Sequence, residues 1–176
     1  MATRDILKTL QAEHDELRAL FEDMEGTTDR AEKKRGDLLA KIKAGLLPHA
    51  KWEETVFYPA FKERADRDGL KTPAEAVQEH RAVEKIVMPD VDAADFTTPE
   101  FAGRVKVFGE MIDHHATEEE QTMFKMVRKL FSAEERAELD RAYEEWKGSP
   151  AGAAAIAAAG AETGVKAVAR KVPRRA

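Results

Sequence analysis

The segment His49-Ala50-Lys51-Trp52-Glu53 sets an imidazole and a carboxylate four residues apart in a stretch that otherwise carries the apolar stripe of a core-facing helix. At that spacing both side chains lie on one helical face, about 6 Å apart, within reach of one metal or of two adjacent metals. A second copy follows 66 residues on, at His115 with Glu119. His14 and His80 fall before and between the two copies, and His80 forms a third pair of the same spacing with Glu84. The histidine intervals are 35, 31 and 35 residues, each about one helix and one turn, so four successive helices would each contribute to one site. A single pair of this kind is commonly a surface contact worth a few tenths of a kcal/mol. Agreement of all three intervals and all four faces is what points to metal chemistry.

The elements that must position these groups read as helices. Residues 5–25 repeat apolar side chains at Leu7, Leu10, Leu17, Phe21 and Met24 with a period of about 3.6, and His14 falls on that face. From about Ala31 to Ala65 a second stripe runs through Leu38, Leu39, Ile42, Leu46, His49, Glu53 and Phe57. Pro48 and Pro59 are expected to bend or split this helix. Thr72-Pro73-Ala74-Glu75 reads as a helix start, leading to Val77, His80, Glu84 and Val87 on one side, with Pro89 as its end. Thr97 and Glu100 are spaced for a capping box opening a fourth helix. Its inward register of Phe108, Ile112, His115, Glu119 and Met123 selects His115 over His114, which belongs to a flanking face. Ser132-Ala133-Glu134-Glu135 starts a short fifth helix with Leu139, Tyr143 and Trp146 as its covering face.

The expected architecture is therefore all-α: an antiparallel up-down four-helix bundle over residues 1–147, a short fifth helix, and a flexible or loosely helical basic Ala/Gly-rich tail over 148–176. The chain has 176 residues and a formal charge of −5, divided into a body of −9 and a tail of +4. An acidic body argues against nucleic acid as a partner, whereas the tail can contact an anionic surface. Without cysteine, disulfides, iron–sulfur clusters and thiolate zinc sites are excluded and nitrogen and oxygen ligands remain. There is no signal-like apolar run at the start and no 18-residue apolar stretch, so the expectation is a cytoplasmic monomer or weak homodimer without a transmembrane segment.

Four imidazoles and two or three carboxylates in one layer of a bundle core would be a poor core composition unless a cation held them together. Six or seven ligand groups exceed the four of a structural zinc site, and two bridged cations would use them all. Mixed imidazole and carboxylate donors suit iron first, with manganese, cobalt or zinc as alternatives.

At His14-Asp15, His49-Ala-Lys-Trp-Glu53-Glu54, Phe57-Tyr58-Pro59, Glu79-His80 and His115-Ala-Thr-Glu-Glu119-Glu120, the chain resembles the hemerythrin-like proteins of the HHE cation-binding type, over roughly residues 3–145. The resemblance implies a non-haem diiron centre in a four-helix bundle. It makes His14, His49, His80 and His115 terminal ligands and Glu53 and Glu119 bridging carboxylates. Two departures stand out from the oxygen-carrying members. Their third helix has a second histidine where this chain has Glu84, and their fourth helix supplies an aspartate five past the histidine where this chain has Glu119 at four. Glu84 as a further ligand would add negative charge beside iron, favouring the ferric state over reversible oxygen carriage. The expected partners are dioxygen, peroxide or nitric oxide. Iron storage without turnover and a metal-stabilised interaction bundle are the competing classes. A small dry lining of Leu10, Leu17, Leu46, Phe57, Val77, Val87, Ile112 and Met123 would admit only small ligands. Tyr58, at its edge, is the candidate donor of a hydrogen bond or electron if its ring turns inward.

Overall fold

The computed structural model describes residues 4–163, and the basic segment beyond lies outside the described residues. Helix α1 is Ile6–Glu25, capped by Asp5, whose side chain accepts from the Leu7 amide. Helix α2 runs through residues 32–62 as Glu32–Trp52, a π turn Glu53–Phe57 and a closing turn Tyr58–Lys62. Helix α3 covers 71–92 as Lys71–Ala82, a π turn Val83–Val87 and Met88–Asp92. Helix α4 covers 99–130 as Pro99–Glu118, a π turn Glu119–Met123 and Phe124–Leu130. Two further helices follow, α5 (Ala133–Lys147) and α6 (Pro150–Thr163).

Contacts across the neighbouring helices run in opposite senses, so α1 to α4 form an antiparallel up-down bundle. Between α1 and α4, Arg18 meets Asp113 and His14 meets Glu120. Between α2 and α3, Glu54 meets His80, Lys51 meets Glu84 and Lys43 meets Asp92. Between α3 and α4, Glu79 meets His115 and the Asp90 carbonyl accepts from Arg104. The core divides into two apolar clusters. One gathers Leu17, Phe21, Ile42, Leu46, Phe108 and Ile112, and the other Leu10, Trp52, Phe57, Tyr58, Met123 and Phe124. The polar layer of histidines and glutamates lies between them.

The prolines act differently from their sequence expectation. Pro48 lies inside an unbroken helix, and α3 continues past Pro89 to Asp92. In both α2 and α3 the π turn comes just before the proline, at Tyr58-Pro59 and Met88-Pro89, with the preceding amide reaching back five residues to Glu53 or Val83. The wider turn accommodates a residue that has no N–H and would crowd the carbonyl four back. Two caps also differ. Thr98, not Thr97, caps α4 by accepting from the Phe101 amide, and α3 begins at Lys71 without a side-chain cap from Thr72. The capping box of Ser132 and Glu135 is present as expected.

The stretch expected to be a flexible or loosely helical tail is helical over its described part. Residues 150–163 form α6, and Ile156 packs against the first apolar cluster. Gly152 allows this docking, because a Cβ there would stand 2.0 Å from the Trp146 carbonyl oxygen. The basic amphipathic stretch 165–172, expected to contact an anionic surface, lies outside the described residues.

Candidate metal centre

All four expected histidines are buried, at 1 to 4 % exposure, as are Glu53, Glu84 and Glu119. The ligand atoms of His14, His49, Glu53 and Glu119 lie within 4.8 Å of one another, and those of Glu53, His80 and His115 form a second such group. Glu53 belongs to both, its Oε1 lying 3.1 Å from His49 Nε2 and its Oε2 3.6 Å from His80 Nε2. Glu119 spans the layer too, with Oε2 3.5 Å from His14 Nε2 and 3.8 Å from His115 Nε2.

Hydrogen-bond chemistry decides what this convergence can hold. Each imidazole has its Nδ1 against a carboxylate: His14 on Glu120 at 2.9 Å, His49 on Glu13 at 2.8 Å, His80 on Glu54 at 3.2 Å and His115 on Glu79 at 2.8 Å. Ionised carboxylates only accept, so Nδ1 must carry the proton, and in a neutral ring Nε2 then offers a lone pair. Yet the Nε2 atoms of His14 and His49 face each other at 3.1 Å, and those of His80 and His115 do likewise at 3.1 Å. Glu53 Oε1 and Glu119 Oε2 are buried beside them without a hydrogen-bond donor. With neutral rings, lone pairs therefore converge in two places, each of which needs a proton or a metal ion between them, and this fits a cation at each.

The electrostatics of the metal-free layer agree. Burial opposes protonation of His49, but the charges of Glu53 and Glu13 prevail and raise its pKa well above 6.5. His115 is raised likewise against burial, by Glu119 and then Glu79. Burial would raise the Glu119 carboxyl, yet the surrounding His115 and His14 hold it far below the usual range. The layer seeks positive charge.

The outer carboxylates form a closed ring. Glu13 of α1 holds His49 of α2, Glu54 of α2 holds His80 of α3, Glu79 of α3 holds His115 of α4, and Glu120 of α4 holds His14 of α1. Glu13, His14, His49, Glu53 and Glu54 recur 66 residues later as Glu79, His80, His115, Glu119 and Glu120. Sequence reasoning gave the four outer glutamates no role, although each sits next to a candidate ligand in the chain and Glu54, Glu79 and Glu120 stand within the quoted motifs. Three of the four carry a cation: Lys147 on Glu13, Arg18 on Glu120 and Lys51 on Glu54. Glu79 instead has His114 at 3.6 Å, whose side chain is 61 % exposed. His114 thus supports the ligand layer from outside it.

Glu84 is the one expected ligand that joins neither group of converging atoms. Lys51 Nζ lies 2.9 Å from its Oε1 and 2.8 Å from Glu54 Oε2. Its counterpart in the internal repeat is Arg18, so both positions make ion pairs beside the layer. Tyr58 does turn inward, 0 % exposed, and donates to Glu119 Oε1 at 2.7 Å and to Glu53 Oε2 at 3.3 Å. Burial first, then the charges of Glu119 and Glu53, push its phenol well above 10 and keep the proton on oxygen. Its counterpart, Phe124, stacks on His14 at 6.0 Å as Tyr58 stacks on His80 at 6.0 Å.

The family model of the hemerythrin HHE cation-binding domain matches residues 5–127. The chain belongs to this family. The match covers all four helices that bear the imidazoles and stops before α5 and α6. Among curated proteins, this hemerythrin domain is similar to a DNA nickase of a Nostoc species, 25 % identical over 134 residues. That alignment covers 74 % of the present chain and 36 % of the nickase, so the chain spans about a third of that relative's length. No solved structure matches significantly. Among the described residues no helix is long and apolar enough to cross a membrane.

Proposed function

We propose that the protein is a non-haem diiron protein that reacts with or senses dioxygen, peroxide or nitric oxide. The carrying observation is the double convergence of imidazole and carboxylate lone pairs, each lacking a donor. His14 and His49 would hold one cation and His80 and His115 the other, with Glu53 and Glu119 shared between them. Such a pair of ions supplies one-electron redox chemistry and Lewis acidity toward a small ligand. Manganese, cobalt or zinc would fit the same donors. Glu84, held by Lys51, enters the set only where that ion pair opens.

The surrounding residues favour chemistry on small molecules. Leu10, Phe57, Ile112, Met123 and Phe124 are buried around the layer and exclude water and bulky substrates. Tyr58 keeps a proton 2.7 Å from Glu119 and can pass it to, or share it with, a group arriving between the carboxylates. Lys51 also neutralises the charge that Glu84 would otherwise bring beside the metals. The activity named for the Nostoc relative stays with that protein, of whose length this chain spans about a third.

Elemental analysis of freshly purified protein tests the centre, with about two irons per chain expected and no transition metal the result against it. Peroxide or dioxygen added to the ferrous protein then separates the uses. Catalytic consumption supports the reactive reading, stoichiometric consumption supports storage, and none supports a structural metal.

A further inference from the structure

Helix α5 lies beyond residue 127, where the family match ends, yet it reaches the metal layer. Tyr143, 1 % exposed, donates its O–H to Glu13 Oε2 at 2.8 Å. Lys147, one turn on, donates to Glu13 Oε1 at 3.1 Å. Glu13 Oε2 also accepts the His49 Nδ1 proton at 2.8 Å. Two donors from α5 thus grip both oxygens of the carboxylate that orients His49. Packing fixes the pair, with the Tyr143 ring 4.7 Å from Trp52 and the Lys147 ammonium 4.2 Å above the Tyr143 ring. On the outer side, Glu13, Tyr143 and Lys147 border a cavity of about 530 Å³ between α1 and α2.

The internal repeat supplies a comparison within one molecule. Glu79, the counterpart of Glu13, holds His115 at the same 2.8 Å, and its other oxygen faces exposed His114 at 3.6 Å. A carboxylate that accepts from Nδ1–H draws the proton toward itself and makes the ring a stronger metal donor. A lysine charge and a phenol O–H on the same carboxylate weaken that pull. We propose that Tyr143 and Lys147 are positioning residues for the metal site held by His49, and that α5 thereby makes this site electronically unlike the one held by His115. The inference rests on the two-cation centre proposed above.

The test uses the full chain loaded with zinc, whose equivalents are first counted, and observes the imidazole Nδ1–H protons by nuclear magnetic resonance. Lys147→Met and Tyr143→Phe should each move the His49 resonance downfield, as its bond to Glu13 strengthens, and leave those of His14, His80 and His115 in place. Lys147→Arg should restore the original position, and Arg141→Gln, on an exposed part of α5, should change nothing. With two zinc ions bound, a His49 resonance that stays put in both variants overturns the proposal. So does a common shift of all four, which would mean a general loosening of the bundle. Uptake of fewer than two zinc ions by the unaltered protein instead removes the centre, and this inference with it.

Discussion

The hydroxyl of Tyr58 lies 2.7 Å from Oε1 of Glu119, a carboxylate on the opposite half of the internal repeat, where the counterpart of Tyr58 is Phe124. Tyr58 therefore places a phenolic proton directly against a carboxylate shared by both groups of imidazoles, whereas the Tyr143 proton lies on the outer Glu13. Tyr58→Phe should leave the metal content intact and slow the reaction with peroxide or dioxygen by about 100-fold or more, the scale of a lost proton donor. Stopped-flow traces superimposing on those of the unaltered protein would take Tyr58 out of the chemistry.

Glu84 and Lys51 make a second test. Because Glu84 pairs with Lys51 rather than joining either group of ligand atoms, Glu84→Gln should retain the full metal complement. Lys51→Met strips a partner from both Glu54 and Glu84 and should cost about 1–3 kcal/mol in urea unfolding. A fall in metal content in Glu84→Gln would return that residue to the ligand set.

Removal of the metal should reverse the pH dependence of stability. His49 and His115 have folded-state pKa values raised above 6.5, so their contribution is fully present below about 6.5 and is lost as pH rises through the raised values. The Tm of the apoprotein should decline on the alkaline side, whereas a bound cation takes over the role of the protons. Metal uptake should accordingly release protons, measurable by calorimetry in buffers of differing ionisation enthalpy. Uptake without proton release near pH 7 would contradict this. On the acid side, Glu13, Glu54 and Glu79 lie below 4.5; burial resists this in all three, most strongly of all the influences on Glu13 and Glu54, and imidazole bonding, the leading influence on Glu79, helps bring it about in each. Their contribution is present above 4.5 and disappears only as pH falls through the depressed values.

The outer ring should be separable from the ligands themselves. Glu120→Gln or Glu79→Gln keeps every metal ligand but weakens the hold on one imidazole, and should lower metal affinity about 10- to 100-fold. Competition with a chromophoric chelator measures it, and unchanged affinity in both variants would deny the ring its role.

Much of this arrangement was legible because His14, His49, Glu53, His80, His115 and Glu119 fall on apolar stripes, where an unpaired polar group is costly. The orientation of Tyr58 was not. The stripe marked Phe57 as inward and left Tyr58 at its edge, whereas across the π turn Glu53–Phe57 both reach 0 % exposure. The same turns hid the passage of α3 beyond Pro89. The role of Glu13, Glu54, Glu79 and Glu120 was not legible because they act sideways, toward the next helix, and a stripe records only the inward direction. The docking of helix α6 was not legible because alanines carry no bulk to mark a face, and it depends on Gly152 and Ile156. Gly152→Ala should cost about 1–3 kcal/mol through overpacking against Trp146, visible as a lowered Tm.

The ring of outer carboxylates also says what the smallest competent unit is. A lone hairpin of α1 and α2 closes one link, Glu13 to His49, and leaves the Glu54 carboxylate without its imidazole and the His14 ring without its carboxylate. The second hairpin has the same surplus at Glu120 and His80. Each half completes the other, as two copies of one hairpin would across a twofold axis. The chain is thus a dimer of hairpins joined by a covalent link, and severing it between residues 62 and 71 should yield fragments that bind metal only after they reassociate.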